Sequence, residues 1–329
     1  MAEPTAELSN LHVTFGSHIE AVRGIDLRIG AGEIHALVGE SGSGKTVTSK
    51  AIIQLLPDGA TVSWDRLMID GREFTPDRPD EVRRLRGRRV AMVFQEPGKH
   101  LNPAMKIGRV ITEAVMLHLR LDRSAALARG RELMELVELD PDVLAAYPHE
   151  LSGGMKQRAL IALAVSCNPV LLLADEPTTA LDVTVQAQIL ALLDRLRREL
   201  GMSILFVSHD LGLVQSAADR VSVMYAGTIV DTAPSGELFA WPLHPYTDLL
   251  LESIPSAGRR GERLHAIPGR VPDAAAVPTG CAFHPRCPIA VERCRHEVPE
   301  LVEYRSGHLS ACHRVEERLD FSGEEGAFR

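Results

Sequence analysis

Residues 39–46 read Gly-Glu-Ser-Gly-Ser-Gly-Lys-Thr, which fits the spacing G-x-x-x-x-G-K-[ST]. The residue types suit phosphate chemistry. Gly39, Gly42 and Gly44 let the backbone curl, so that successive N–H groups, those of Ser41 and Ser43 included, face an anion. Lys45 is placed to reach the β- and γ-phosphates of a nucleotide, and the Thr46 hydroxyl to ligate Mg²⁺. An ordinary glycine-rich turn is the competing reading. The flanks weigh against it. Ile34–Gly39 (IHALVG) reads as a buried strand, and Lys45–Leu56 as a helix stopped by Pro57-Asp58-Gly59.

A second apolar run, Val170–Glu176 (VLLLADE), ends in two carboxylates. At the tip of a buried strand, Asp175 would hold Mg²⁺ through water and Glu176 would polarise an attacking water as general base. By itself such a pair could equally cap the next helix. Beside a phosphate loop the catalytic reading is the stronger. His209 ends the apolar run Ser203–Val207, where open α/β sheets place ligands. Gln95 ends the run Arg89–Gln95, either as a site amide or as a backbone partner. Leu151–Met155 (LSGGM) is another glycine-rich anion seat at a helix start, offering Ser152 and the amides of Gly153 and Gly154. One loop already serves this chain's nucleotide, so a second seat points to a nucleotide shared with another subunit.

Cysteines form the third group. Cys167 stands alone in an apolar helix, as a core thiol would. Cys281, Cys287, Cys294 and Cys312 cluster near the C-terminus with His284, His296, His308 and His313, which read as surrounding or surface groups. The cysteine spacing matches neither a zinc ribbon nor the bacterial ferredoxin run. Four thiolates in a short Pro-rich segment still suit a tetrahedral zinc or an iron–sulfur cluster acting as a structural staple.

The elements that must position these groups alternate strands and helices, an α/β pattern. Residues 103–150 are mostly helical, with Arg123–Leu139 amphipathic. Met155–Val165 is helical again, and Arg220–Thr232 reads as a hairpin turning at Ala226-Gly227. Pro255–Pro278 has the texture of a linker, and the tail after Asp320 of a frayed end. The chain has 329 residues, enough for about two domains. Lys plus Arg number 36 against 44 Asp plus Glu, a formal charge of −8, which argues against a nucleic-acid partner. No apolar run approaches the about 18 residues of a membrane span and no secretory signal is visible, so the reading is a cytoplasmic chain whose partner supplies any membrane part.

The order of motifs resembles the ATP-binding cassette (ABC) ATPases: phosphate loop, Gln95, LSGG, Asp175-Glu176, Ala180-Leu181-Asp182, His209. The resemblance covers about residues 8–235. It implies an α/β fold with an ABC-type P-loop nucleotide-binding domain, a RecA-like core plus a helical subdomain, and a small C-terminal extension. The core and an N-terminal β subdomain would occupy 1–98 and 155–235, the helical subdomain with the signature 99–154, and the extension 236–329. It further implies two cassettes paired head to tail, each ATP lying between one loop and the other's signature. Gln95 then resembles the glutamine that senses Mg²⁺, Asp182 the inter-subunit aspartate, His209 the γ-phosphate switch and Phe15 the aromatic that stacks on adenine.

The rest of the chain is similar to the oligopeptide/dipeptide/nickel importer ATPases. Leu243–Leu251 (LHPYTDLLL), Ser253-Ile254-Pro255, Ile267-Pro268-Gly269, Gly280–Pro288 (GCAFHPRCP), Leu101-Asn102-Pro103 and Thr178–Leu190 carry that likeness. It implies an ATPase powering peptide uptake from the cytoplasmic face of the membrane, as a peripheral subunit. Its partners would be a non-identical sister ATPase, two transmembrane permeases and an extracytoplasmic binding protein. It also tips the four cysteines toward a 4Fe–4S cluster, with zinc or no metal as the alternatives. Gly98-Lys99-His100 departs from the group's usual loop near the expected permease contact. The cargo stays open between peptides, nickel and other small solutes, and a soluble ABC motor is the reading outside transport. Because the phosphate loop and the cysteines occupy separate segments, nucleotide binding is expected to survive loss of the cysteine site.

Overall fold

A computed structural model describes residues 3–16, 18–179, 181–253 and 267–317. Ala180, Ile254, Pro255 and the rest of the linker stretch to residue 266, and the tail after Asp320, lie outside these residues.

Eight strands form the main sheet, in the order Val302–Arg305, His308–Ser310, Thr228–Pro234, Arg220–Tyr225, Ile34–Val38, Ser203–Ser208, Leu171–Asp175, Val90–Val93. The last five are parallel to one another, and the first three add antiparallel. Ile34–Val38, Leu171–Asp175 and Ser203–Ser208 are buried at every position. Both faces of a parallel sheet are covered, so continuous apolar runs such as IHALV fit where an alternating pattern would not.

Alternate residues of these strands feed two cores. Ala36, Leu172, Ala174, Ile204 and Phe206 face a core built with the helices Ile107–Leu119, Arg123–Leu136, Gly153–Val165 and Val183–Leu200. Leu37, Leu171, Leu173, Leu205 and Val207 face the other. That second core is closed by an antiparallel sheet of Ile19–Ile29, Ala6–Phe15, Arg66–Ile69 and Arg72–Phe74, with Ala60–Ser63 also paired to Ala6–Phe15.

Two helices end earlier than their sequence predicts. The helix from Lys45 stops at Ile52 rather than Leu56, and Gln54 turns to φ 55°. The helix from Arg123 stops at Leu136 rather than Leu139, with Glu138 at φ 58°. Glu138 is recruited by Arg158 at 2.7 Å and Arg195 at 3.1 Å, a tertiary pull that helix periodicity does not contain. The Arg220–Thr232 hairpin turns at Ala226 (φ 45°) and Gly227 (φ 84°), the two-residue turn with positive φ at both positions that matches strand twist. The helix Gly153–Val165 runs unbroken across the expected 154/155 domain boundary.

Candidate functional site

The strand Ile34–Val38 delivers the chain into the glycine-rich loop, and the helix Lys45–Ile52 leaves it. Gly39 has φ 147°, and a Cβ there would meet the Met224 carbonyl oxygen at 2.2 Å. Gly44, the N-cap at φ 107°, would place a Cβ 2.7 Å from the Ala21 carbonyl. The loop is thus walled by two other strands, and only glycine fits these two approaches. The Ala226-Gly227 turn braces it: the Gly227 N–H donates to the Ser43 carbonyl at 2.9 Å, and the Arg23 N–H to the Gly227 carbonyl at 2.8 Å. No side chain caps the helix N-terminus, so its first N–H groups face the loop's cradle. Ser41 and Gly42 are exposed, and Ser43 is buried. Buried Lys45 donates to the carbonyls of Gly39 at 2.8 Å and Glu40 at 2.9 Å. Burial lowers its pKa, while Glu176, Asp175 and Glu40 pull it back up.

Thr46 and Asp175, 129 residues apart, meet through a 2.8 Å hydrogen bond from the Thr46 hydroxyl. Asp175 is buried, and burial raises its pKa against the bond from Thr46. Two oxygen donors side by side beneath a phosphate cradle suit a hard divalent cation. Glu176 takes the left-handed φ of 46° just past the strand end, with its N–H on the Val207 carbonyl at 3.0 Å. That turn aims its carboxylate at three groups: Gln95 Nε2 at 2.7 Å, Thr179 Oγ1 at 2.9 Å and His209 Nδ1 at 3.0 Å. The His209 side chain is 60% exposed, so it can also face a ligand. A carboxylate held this way can orient and polarise a water. Sequence reading did not single out Thr179, although it stands only three residues after Glu176.

After Gln95 the chain forms the short helix Pro97–His100, pinned by stacking of the Phe94 and His100 rings at 4.1 Å. The Gly98-Lys99-His100 stretch lies on this helix and is exposed.

Ser152 caps the helix Gly153–Val165, accepting the Met155 N–H at 3.3 Å. Asp182 caps Val183–Leu200, accepting the Val185 N–H at 3.0 Å. The two caps are neighbours, since a Cβ on Gly154 would meet Val185 Cγ1 at 3.0 Å and one on Gly153 would meet Leu181 at 3.5 Å. Among the described residues no hydrogen bond joins Ser152, Gly153, Gly154 or Asp182 to the phosphate loop. Phe15 lies half-buried at the tip of the first hairpin, opposite Ile19. The same hairpin carries the Ala21 carbonyl against Gly44.

The four C-terminal cysteines, spread over 281–312, line one small cavity with Phe283, His284 and His313. None is in a disulfide. The Cys281 N–H donates to the Cys294 carbonyl at 2.9 Å. Burial pushes the Cys281 thiol up to about 11, and the Cys294 and Cys287 thiols add to it. The donor set is that of a thiolate-bound metal. Among the described residues, however, no three His, Cys, Asp or Glu side chains stand in a metal-gripping arrangement. The four thiols converge on one cavity. Cys167 is buried, as expected. His308 departs from its reading: it is fully buried and pairs with buried Asp231 at 3.1 Å, tying the last hairpin to the main sheet.

Separate segments do not mean separate cores. Phe283 and Tyr246 belong to the same core as the sheet, with Cys281 and Cys287 packed against it. Arg286 pairs with Glu40 inside the phosphate loop at 2.7 Å. The expectation that the two sites have separate cores is therefore corrected: the extension touches the loop. No pattern along the chain joins residue 286 to residue 40, so sequence reading missed both Arg286 and Tyr246.

Over residues 22–179 the chain matches the ABC transporter family, and over 230–294 the "Oligopeptide/dipeptide transporter, C-terminal region". It is 44% identical to the oligopeptide transport ATP-binding protein AppD of Bacillus subtilis, covering 94% of this chain and 97% of that one. It is 43% identical to the dipeptide transport ATP-binding protein DppD of Escherichia coli, over 93% and 95%. Among solved structures, a post-hydrolysis dimer of the ATP-binding cassette MJ0796 with ADP and Pi aligns with a TM-score of 0.61 at 27% identity, over 70% of this chain and 98% of that one. cbiO1 of Clostridium perfringens, part of the transporter complex cbiONQ, aligns at 0.62 and 26%, over 73% and 92%. With the phosphate loop, the paired carboxylates and the cysteine-bearing extension all in place, the chain belongs to the ABC transporter family, as an ATPase that carries the oligopeptide/dipeptide C-terminal region.

Proposed function

We propose that this chain is the ATP-hydrolysing subunit of an importer that takes up oligopeptides or dipeptides across the cytoplasmic membrane. The observation that carries the reading is likeness to peptide-transport ATP-binding proteins along nearly the whole length, extension included. The loop residues Gly39 to Thr46 take the phosphates. Thr46, Asp175 and Gln95 hold Mg²⁺, and Glu176 is the general base. His209 leaves Glu176 to contact the γ-phosphate, and Phe15 stacks on the adenine. Ser152, Gly153, Gly154 and Asp182 serve the nucleotide of a partner ATPase. The dimeric state of the MJ0796 cassette supports that reading.

The partner is a non-identical sister ATPase, and the pair sits on two permeases at the cytoplasmic face, fed by an extracytoplasmic binding protein. No described helix is long and apolar enough to cross a membrane, which leaves the span to those partners. The core with its β subdomain runs over 1–98 and 155–235, the helical subdomain over 99–154, and the extension from 236. Cys281, Cys287, Cys294 and Cys312 would hold a 4Fe–4S cluster, or zinc. Their convergence on one cavity supports this. When bound, the metal would cross-link the extension at those four positions.

The test is uptake in proteoliposomes holding the full assembly. Peptide-loaded binding protein should drive ATP-dependent accumulation of the peptide. Accumulation of Ni²⁺ but no peptide would assign the same machine another cargo. ATP hydrolysis by the full assembly with no accumulation of any solute would refute the transporter reading.

A further inference from the structure

Glu40, the second residue of the phosphate loop, is held on every polar atom. Its carboxylate takes a two-pronged grip from Arg286, at 2.7 Å to Oε2 and 3.1 Å to Oε1. Its N–H donates to the Tyr246 hydroxyl at 2.9 Å. Its carbonyl accepts Lys45 Nζ at 2.9 Å. Arg286 is itself fixed. Its Nε donates to the Pro268 carbonyl at 2.7 Å, Nη1 reaches the Tyr225 hydroxyl at 3.3 Å, and the guanidinium lies 5.7 Å and 6.0 Å from the ring centres of Tyr225 and Phe283. Its side chain is only 5% exposed, against 29% for Glu40.

A carboxylate in a loop built to receive a polyanion is an electrostatic liability. Left unpaired it would repel the incoming phosphates and compete for Lys45. A two-pronged guanidinium removes that charge and also fixes direction, which an ammonium would not. The extension supplies it from 246 residues away.

We propose that Arg286 is a positioning residue for the nucleotide: by neutralising Glu40 and pinning the start of the phosphate loop, the C-terminal extension sets how tightly the loop takes ATP. The proposal rests on the reading of this loop as the ATP seat. Arg286 lies on the short turn His284–Arg286 between Cys281 and Cys287. Whatever fixes those cysteines therefore fixes the residue that tunes the loop.

The experiment measures MgATP and MgADP binding to the full-length chain by calorimetry, at low and high salt. Arg286→Met should weaken MgATP by about tenfold or more, by less for MgADP, and the loss should shrink as salt screens the bare carboxylate. Adding Glu40→Gln should restore MgATP affinity to within about threefold, since the repelling charge is gone. A merely structural loss would fall equally on both nucleotides and would not be rescued. Wild-type affinity in Arg286→Met, or an equal loss with and without Glu40→Gln, overturns the proposal. Should the Met variant not fold, Arg286→Gln keeps a donor for the Pro268 carbonyl and is read by the same two criteria. Failure of the wild-type chain to bind MgATP would instead overturn the reading of the site.

Discussion

Replacing Glu176 by Gln tests the catalytic assignment with the least disturbance. The carboxylate has two tasks here. Oε2 accepts from Gln95 at 2.7 Å and Thr179 at 2.9 Å, while Oε1 faces His209 Nδ1 at 3.0 Å. A glutamine can keep all three contacts: its amide oxygen serves Gln95 and Thr179, and its NH₂ donates to His209 in the tautomer with Nδ1 free. The left-handed backbone at φ 46° is no more strained for Gln than for Glu. The Thr46–Asp175 pair is untouched. Binding of MgATP should therefore stay within about threefold of wild type, less than 1 kcal/mol. What the variant loses is basicity. General-base catalysis contributes about 10²–10⁴-fold, so turnover should fall by that factor, or about 3–5 kcal/mol on the barrier. The assay is phosphate release by the assembled transporter, with the sister ATPase's own site disabled so that it cannot mask the result. ATP should then accumulate in a closed, paired state. Wild-type turnover under those conditions would refute the role given to Glu176.

Further expectations concern partnership, metal and packing. The isolated chain should hydrolyse ATP slowly, and the sister ATPase, permeases and peptide-loaded binding protein should each raise the rate; rapid, unstimulated hydrolysis by a strict monomer would remove the shared-site reading. Full-length protein purified without oxygen should contain iron or zinc, and Ser at any of Cys281, Cys287, Cys294 or Cys312 should abolish it, while Cys167→Ser should not; a metal analysis finding neither element excludes the cluster. Because Arg286 neighbours Cys287, those Ser variants should also weaken MgATP binding, whereas unchanged affinity would mean that the extension holds its position without the metal. Phe283→Ala, in the cluster with Tyr225, Tyr246 and His244, should cost about 3–5 kcal/mol, read as a lower urea midpoint at unchanged slope. A cost under about 1 kcal/mol would show that the extension's core adds little to the fold.

Much of the site is legible in one dimension because its parts are local. A phosphate loop needs glycines, a lysine and a hydroxyl within eight consecutive positions, so its chemistry is written contiguously from Gly39 to Thr46. The buried parallel strands announce themselves as unbroken apolar runs, and the carboxylates, Gln95 and His209 stand where those runs end. What the sequence could not decide is which distant groups meet. The Glu176 carboxylate gathers residues 95, 179 and 209 because three adjacent strands share one sheet edge, which no spacing rule encodes. Glu138 ends its helix early because two arginines from other helices claim it. The cysteine extension reads as an independent module along the chain. It is bound to the phosphate loop because Phe283 and Tyr246 enter the same core as the sheet and bring Arg286 onto Glu40. Local chemistry is determined by neighbours in sequence; the coupling between sites is determined by burial, and burial exists only in the folded chain.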